Sequence, residues 1–191
     1  NSLVQFVESG GKIFITLAGA MSTARLGKTL APLIRSGVVG GISCTGANLE
    51  EDLFLLLAES SYESIDDWRN LSNKDDAELL ARQMNRVTDV CIPEHEAIRE
   101  IENAILPLWK ACSNDGTSYL PHEFFYQILA SGQLNLDGSP EDSWLMAAAE
   151  TDLPLFVPGW EDSTIGNIFA SHVINSEVRA DTILGGVHYM T

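Results

Sequence analysis

Apolar residues along this chain fall into two rhythms, short unbroken runs and helical spacings, and the two alternate. Residues 12–18, Lys-Ile-Phe-Ile-Thr-Leu-Ala, form the first run. It is rich in apolar and β-branched side chains and is bounded by Gly10-Gly11 and Gly19, the pattern of a buried strand. Leu26, Leu30, Leu33 and Ile34 then recur at helical spacing up to Gly37, which suits the left-handed position past a helix end. Pro32 predicts a kink in that helix. Residues 38–44 read as a second strand, so the opening is a βαβ unit with a right-handed crossover in a parallel sheet.

The next helix is expected to start at Asn48, with Asn48 as its cap and Glu51 completing a capping box ahead of Leu53, Phe54, Leu56 and Leu57. Residues 60–90 are polar and less periodic, and predict a connecting excursion with short helical pieces. Pro93 stands at a plausible first position of an amphipathic helix marked by Ile98, Ile101, Ile105 and Leu106, which Pro107 should kink or end. Further helices are expected over residues 121–130, 139–149 and 163–172, with a short apolar strand at 154–158. Strands alternating with helices imply an α/β fold, a Rossmann-like parallel sheet flanked by helices, in one domain over residues 1–191.

Charge narrows the partners. Twenty-seven acids against eleven bases give a formal net charge of -16, which repels phosphate backbones and anionic headgroups, so neither nucleic acid nor a membrane is expected. A cationic small molecule matches electrostatically, and so does the plain reading of an acidic, solubilising surface. Cys44, Cys91 and Cys112 are far apart and odd in number, which indicates neither a disulfide framework nor a zinc site and fits the cytoplasm. No apolar run reaches the roughly 18 residues of a membrane span. His95, His122, His172 and His188 show no ligand spacing, so no metal is expected and surface or core roles suffice for them.

In parallel sheets, ligands gather beyond the carboxyl ends of strands, where loops and helix N-termini present backbone N–H groups. Three loops qualify. Gly19-Ala20-Met21-Ser22-Thr23 combines small residues with two hydroxyls, and reads either as a phosphate site or as an ordinary strand-to-helix turn. Thr45-Gly46-Ala47-Asn48 leads into Glu50-Glu51-Asp52, three acids that could complement a helix dipole, bind ammonium groups or bond a ribose. Glu161-Asp162-Ser163-Thr164-Ile165-Gly166-Asn167 is either a capped helix start or a third part of one rim.

At these loops the chain resembles the deoxyhypusine synthase family. Thr45-Gly46-Ala47-Asn48-Leu49-Glu50-Glu51-Asp52-Leu53 is similar to the family's Thr-Ala-Gly-Gly-hydrophobic-Glu-Glu-Asp-Leu segment. Asn85-Arg86-Val87, leading to Ile92-Pro93, resembles its Asn-Arg-Ile stretch before Val-Pro. Asp162-Ser163-Thr164-Ile165-Gly166-Asn167 resembles its Asp-Gly-Ser-Leu-Gly-Asp loop, and Ile183-Leu184-Gly185-Gly186 its Ile-Leu-Gly-Gly strand end.

The resemblance implies NAD as cofactor, contacted by Met21, Ser22, Thr23, Ala24 and Arg25, by Thr45, Gly46, Ala47 and Glu51, and by Asp162 and Gly186. It implies a polyamine substrate, spermidine or putrescine, facing Glu50, Glu51 and Asn167. Asn167 replaces the family's usual aspartate, and Met21-Ser22 replaces the Ser-Asn pair of the eukaryotic enzymes, which points to the bacterial-type branch. The implied activity is NAD-dependent transfer of an aminobutyl group from spermidine to an amine acceptor, a protein lysine, within a homotetramer. The family's nucleophilic lysine is expected beyond Thr191, since none of Lys12, Lys28, Lys74 or Lys110 stands in its motif. The segment is therefore expected to be the N-terminal or central part of a longer chain, inactive alone. Transfer to a free diamine, giving homospermidine, and a silent NAD- or polyamine-binding relative are the competing readings. An unrelated NAD-dependent dehydrogenase is disfavoured by the missing glycine fingerprint.

Overall fold

A computed structural model describes Ser2–Tyr189. A helix that the apolar pattern does not predict, α1 (Ser2–Glu8), comes first and buries nothing. β1 (Ile13–Leu17) then passes through a single 3-10 turn (Met21–Ala24) into α2 (Gly27–Arg35), and β2 (Val39–Cys44) completes the expected βαβ unit. After α3 (Gly46–Ala58) come β3 (Glu63–Ser64), α4 (Asn73–Ala81), β4 (Met84–Val87) and β5 (Val90–Pro93). α5 (Glu100–Asp115), α6 (Pro121–Ala130), α7 (Trp144–Glu150), β6 (Leu155–Phe156) and α8 (Thr164–Ile174) follow.

The main sheet is parallel, in the order β1-β2-β6. Ile15, Ile42 and Leu155 lie in register across it, and Ile42 and Leu155 are fully buried. This row faces a core in which Leu49, Leu53, Phe54, Trp109, Phe124 and Trp144 are also buried, the burial that makes an apolar strand pay its ordering entropy. The fold class is the α/β class expected. Because all three strands run the same way, the loops after β1, β2 and β6 leave from one edge of the sheet.

Several local expectations are corrected. β1 is not the buried strand its composition suggests: it is the edge of the sheet, and its alternate residues are exposed, Phe14 to 56%. α3 begins two residues before Asn48: Thr45 is its cap and accepts the Asn48 N–H. Thr45 has the extended backbone that a cap needs, whereas Asn48 lies inside the helix. The acids Glu50, Glu51 and Asp52 consequently sit in the second turn, not the first, and Glu51 does not close a capping box. Pro93 ends β5 instead of opening a helix, and a π-type turn over Glu94–Arg99 precedes α5. α2 and α5 both run through their prolines, and Pro32 and Pro107 are exposed, so water can satisfy the carbonyls that lose a donor.

The stretch from residue 139 is two pieces, a 3-10 turn at Pro140–Asp142 and then α7 capped by Ser143. The polar excursion holds an antiparallel sheet, β3-β5-β4, that its weak periodicity concealed. Cys91 on β5 joins Leu79 and Met84 in a small satellite core beneath it.

Candidate functional site

The loop after β1 is tied to the start of α3. Thr45 Oγ1 donates to the Gly19 carbonyl at 2.6 Å, and Asn48 Nδ2 donates to the same oxygen at 2.7 Å. Ser22 is fully buried; its hydroxyl donates to the Asn48 carbonyl at 2.8 Å and accepts the Trp144 indole N–H at 3.0 Å. Thr23 donates both its N–H and its hydroxyl to Glu51. Arg25 ends the turn in the left-handed region, at φ 57, and pairs with Glu59. The hydroxyls of Ser22 and Thr45 are thus committed inside the protein. Met21, Ala24 and Arg25 are the outward members of the turn.

The third loop closes on the second. Ser163 caps α8 by accepting the Gly166 N–H, and its hydroxyl donates to the Trp160 carbonyl. A Cβ added to Gly46 would lie 2.7 Å from both the Ser163 Cβ and the Trp160 carbonyl, and one on Gly166 would lie 2.6 Å from that carbonyl. Both glycines are therefore required by backbone approach. Replacing Gly166 with Ala is expected to lower stability by about 2 kcal/mol through overpacking, and an unchanged denaturation midpoint would refute the tight fit. A Cβ on Gly185 would lie 3.6 Å from the Glu161 carboxylate and one on Gly186 3.9 Å from Pro158, so residues 185–186 lie against the start of the third loop. The structure thus brings together the three loops that the sequence singled out and the segment that ends at Gly186.

The three adjacent acids serve three different elements. Glu50 reaches α8, accepting the Thr164 N–H at 2.9 Å and the Ile165 N–H at 2.7 Å. Glu51 holds the β1 loop through Thr23. Asp52 reaches α7, accepting the Ser143 hydroxyl at 2.6 Å and the Leu145 N–H at 3.0 Å. All three are buried, and burial raises their pKa against these hydrogen bonds: Glu50 up to about 7, Asp52 to about 6, and Glu51 upward.

Beyond Glu50 and Glu51 opens a cleft of ≈ 480 Å³ between α3, the β4-β5 hairpin, the π-type turn and α8. α8 lines it with Thr164, Asn167, Ile168, Ser171 and His172. Their spacing of three and four residues is one helix face, so the cleft follows α8 for about 12 Å at the usual rise per residue. Asn167 is exposed; its amide nitrogen donates to the Ser163 carbonyl, which leaves its amide oxygen to accept. Phe54, Ile92 and Ile98 give the cleft apolar wall.

At the His172 end stand Glu94 and Glu102, which the sequence did not mark as site residues. Arg99 pairs with both, Asn85 donates to Glu94 at 2.6 Å, and His172 Nε2 lies 2.9 Å from Glu102. Burial pushes Glu102 up, but its bonds from Arg99 and His172 outweigh this and hold it below the usual range. The stripe along α8 was the one signal in the sequence that could have found this end, and the isolated spacing of His172 hid it. Among the described residues no group of three or more His, Cys, Asp or Glu is placed to hold a metal ion.

Comparisons with known proteins bear on the family and the fold. The pattern of the deoxyhypusine synthase family matches residues 3–186. A probable deoxyhypusine synthase of Archaeoglobus fulgidus is 29% identical over 85% of this chain and 48% of its own length. One from Methanosarcina acetivorans is 30% identical over 83% of this chain and 43% of its own. A deoxyhypusine synthase-like protein of a Cyanothece species is 29% identical over 93% of this chain and 44% of its own. The chain thus spans about half the length of these relatives. The crystal structure of an Entamoeba histolytica protein assigned to deoxyhypusine synthase has the same fold, with a TM-score of 0.56 at 14% identity over 92% of this chain and 50% of that one. Family pattern, relatives and fold agree: this chain belongs to the deoxyhypusine synthase family.

Proposed function

We propose that this chain forms the NAD rim and the polyamine cleft of an enzyme that transfers an aminobutyl group from spermidine to an amine acceptor, a protein lysine in the family reading. One observation carries this: a partly apolar cleft with carboxylates at both ends adjoins a rim of four converging loops, and Glu51 belongs to both. Apolar wall between acids suits a polymethylene chain between ammonium groups.

The rim fits a dinucleotide in its chemistry. Gly46 and Ala47 are the first helical residues of α3, so their N–H groups lack an intrahelical partner, and Gly46 lets backbones approach without side-chain bulk. Met21, Ala24 and Arg25 are exposed on the first loop and Asp162 on the third, and Gly186 approaches Pro158, so all five would be open to a dinucleotide. NAD bound there would supply a hydride acceptor. The chain's own residues orient the substrate: Glu50 and Glu51 hold an ammonium end by charge-assisted bonds, and the Asn167 amide oxygen accepts from the chain's amines. Ser22, Thr23, Thr45 and Asn48 hold the rim rigid, which would fix the orientation of a dinucleotide bound there relative to the cleft.

Three buried free cysteines suit the reducing cytoplasm in which this reading places the protein, and a homotetramer is part of the same proposal. Among the described residues no helix is long and apolar enough to cross a membrane.

The test has two arms. This chain should bind NAD and spermidine in calorimetry. A full-length protein carrying it should release 1,3-diaminopropane from spermidine when NAD is present, with homospermidine formed on adding putrescine if the acceptor is a free diamine. NAD binding without any release would favour the silent relative, and failure to bind either ligand would refute the proposal.

A further inference from the structure

We infer that Arg99 is a built-in competitor for the second ammonium of the polyamine, and that it sets the cleft's preference by ligand length. This rests on the polyamine reading of the cleft.

The cleft has two unlike ends separated by the Thr164-to-His172 face of α8, about 12 Å at the usual helical rise. At the Thr164 end, Glu50 and Glu51 bond only to backbone N–H groups and a threonine hydroxyl, so neither carboxylate has a cationic hydrogen-bond partner. At the His172 end, the two carboxylates of Glu94 and Glu102 already share one guanidinium, and Arg99 itself lines the cleft. Two unit negative charges against one leave that end attractive to a cation, but only a cation that competes with Arg99.

Arg99 is well suited to give way. Its side chain is 44% exposed, so it can swing into water, where a guanidinium is fully solvated at small cost. Glu94 and Glu102 are less free: their side chains are 21% and 18% exposed, and Asn85 and His172 keep hold of them when Arg99 leaves. An extended triamine is long enough to engage Glu50 and Glu51 with one terminus and to reach Glu94 and Glu102 with the other. A diamine of four methylenes spans about half that length and meets only one end. Arg99 therefore weakens triamine binding selectively, and a short diamine does not feel it.

Calorimetric titration of spermidine and putrescine into wild type, Arg99→Gln, Arg99→Lys and Glu102→Gln tests this. Arg99→Gln is expected to tighten spermidine by about tenfold, the equivalent of one modest charge interaction, and to leave putrescine within about twofold. Arg99→Lys keeps the competing charge and should stay near wild type for both, while Glu102→Gln should weaken spermidine alone. Spermidine binding that is unchanged or weaker in Arg99→Gln, or putrescine tightened equally, would overturn the role of Arg99 and leave the polyamine reading standing. Absence of polyamine binding in every protein, each shown folded by circular dichroism, would remove both.

Discussion

Replacing Asp52 with alanine is expected to lower the unfolding free energy by about 4 kcal/mol, with no change at the cleft beside Glu50 and Glu51. Asp52 is buried, and one of its oxygens accepts both the Ser143 hydroxyl and the Leu145 N–H. Truncation strands two buried donors at about 1–3 kcal/mol each and frees the start of α7 from α3. α7 also donates the Trp144 indole N–H to Ser22, so the loss should spread to the β1 turn. Asp52 does not line the cleft, which is why binding should survive in the folded fraction. Asp52→Asn keeps an acceptor and should cost about 1 kcal/mol. Urea denaturation of both variants decides the matter: a loss under about 1 kcal/mol for the alanine variant would mean that water replaces the carboxylate, and that α7 is not anchored there.

Folding stability should also fall as pH rises from about 4 to about 7, by several kcal/mol, which reverses the behaviour of most carboxylates. In the unfolded chain Glu50 and Asp52 lose their protons near their ordinary values of 4.5 and 3.8. In the folded chain burial delays this to about 7 and about 6, so within that window the folded state holds more protons than the unfolded one. Their contribution is complete below pH 4 and is lost as pH passes the folded values, at about 1.4 kcal/mol per pH unit for each proton of difference. Asp75, Asp76, Asp137, Glu141, Glu177 and Asp181 are lowered by hydrogen bonds and act in the opposite sense, but they lie at the surface, where solvent screens them, and only the less exposed Glu102 offsets part of the fall. Denaturation midpoints measured at pH 4.5 and 7.5 give the slope, and a Glu50→Gln, Asp52→Asn double variant should flatten it. A wild-type midpoint that rises across the window would show that the N–H groups of Thr164 and Ile165 keep Glu50 ionised despite burial.

The parallel core and its rim were largely legible in the sequence. Residues 12–18, 38–44 and 154–158 are apolar runs of strand length, which is enough to mark them as strands, although β1 proves to be exposed along one face. The start of α8 at Ser163 was readable for a similar reason, because a cap is satisfied within three residues of itself. The loops converge because parallel strands send them to one edge. The hairpin of β4 and β5 was not legible, since its pairing partners include β3, more than twenty residues upstream, and its faces carry no clean alternation.

The acids that opened the question divide along the same line. That Glu50, Glu51 and Asp52 follow a strand end is written in the chain, and so is the family they mark. Their separate tasks are not, because successive helical residues point about 100° apart and meet whatever the fold has packed there. Glu50 meets α8 from 114 residues away, Asp52 meets α7 from 91, and Glu51 turns back 28 to the first loop. Glu94, Arg99 and Glu102 likewise became one end of a cleft only when α8 was laid beside them. Local sequence sets propensities and caps through interactions that span a few residues. A binding cleft is made of residues brought together across the whole chain, and only tertiary packing decides which carboxylates are spent as anchors and which face a ligand.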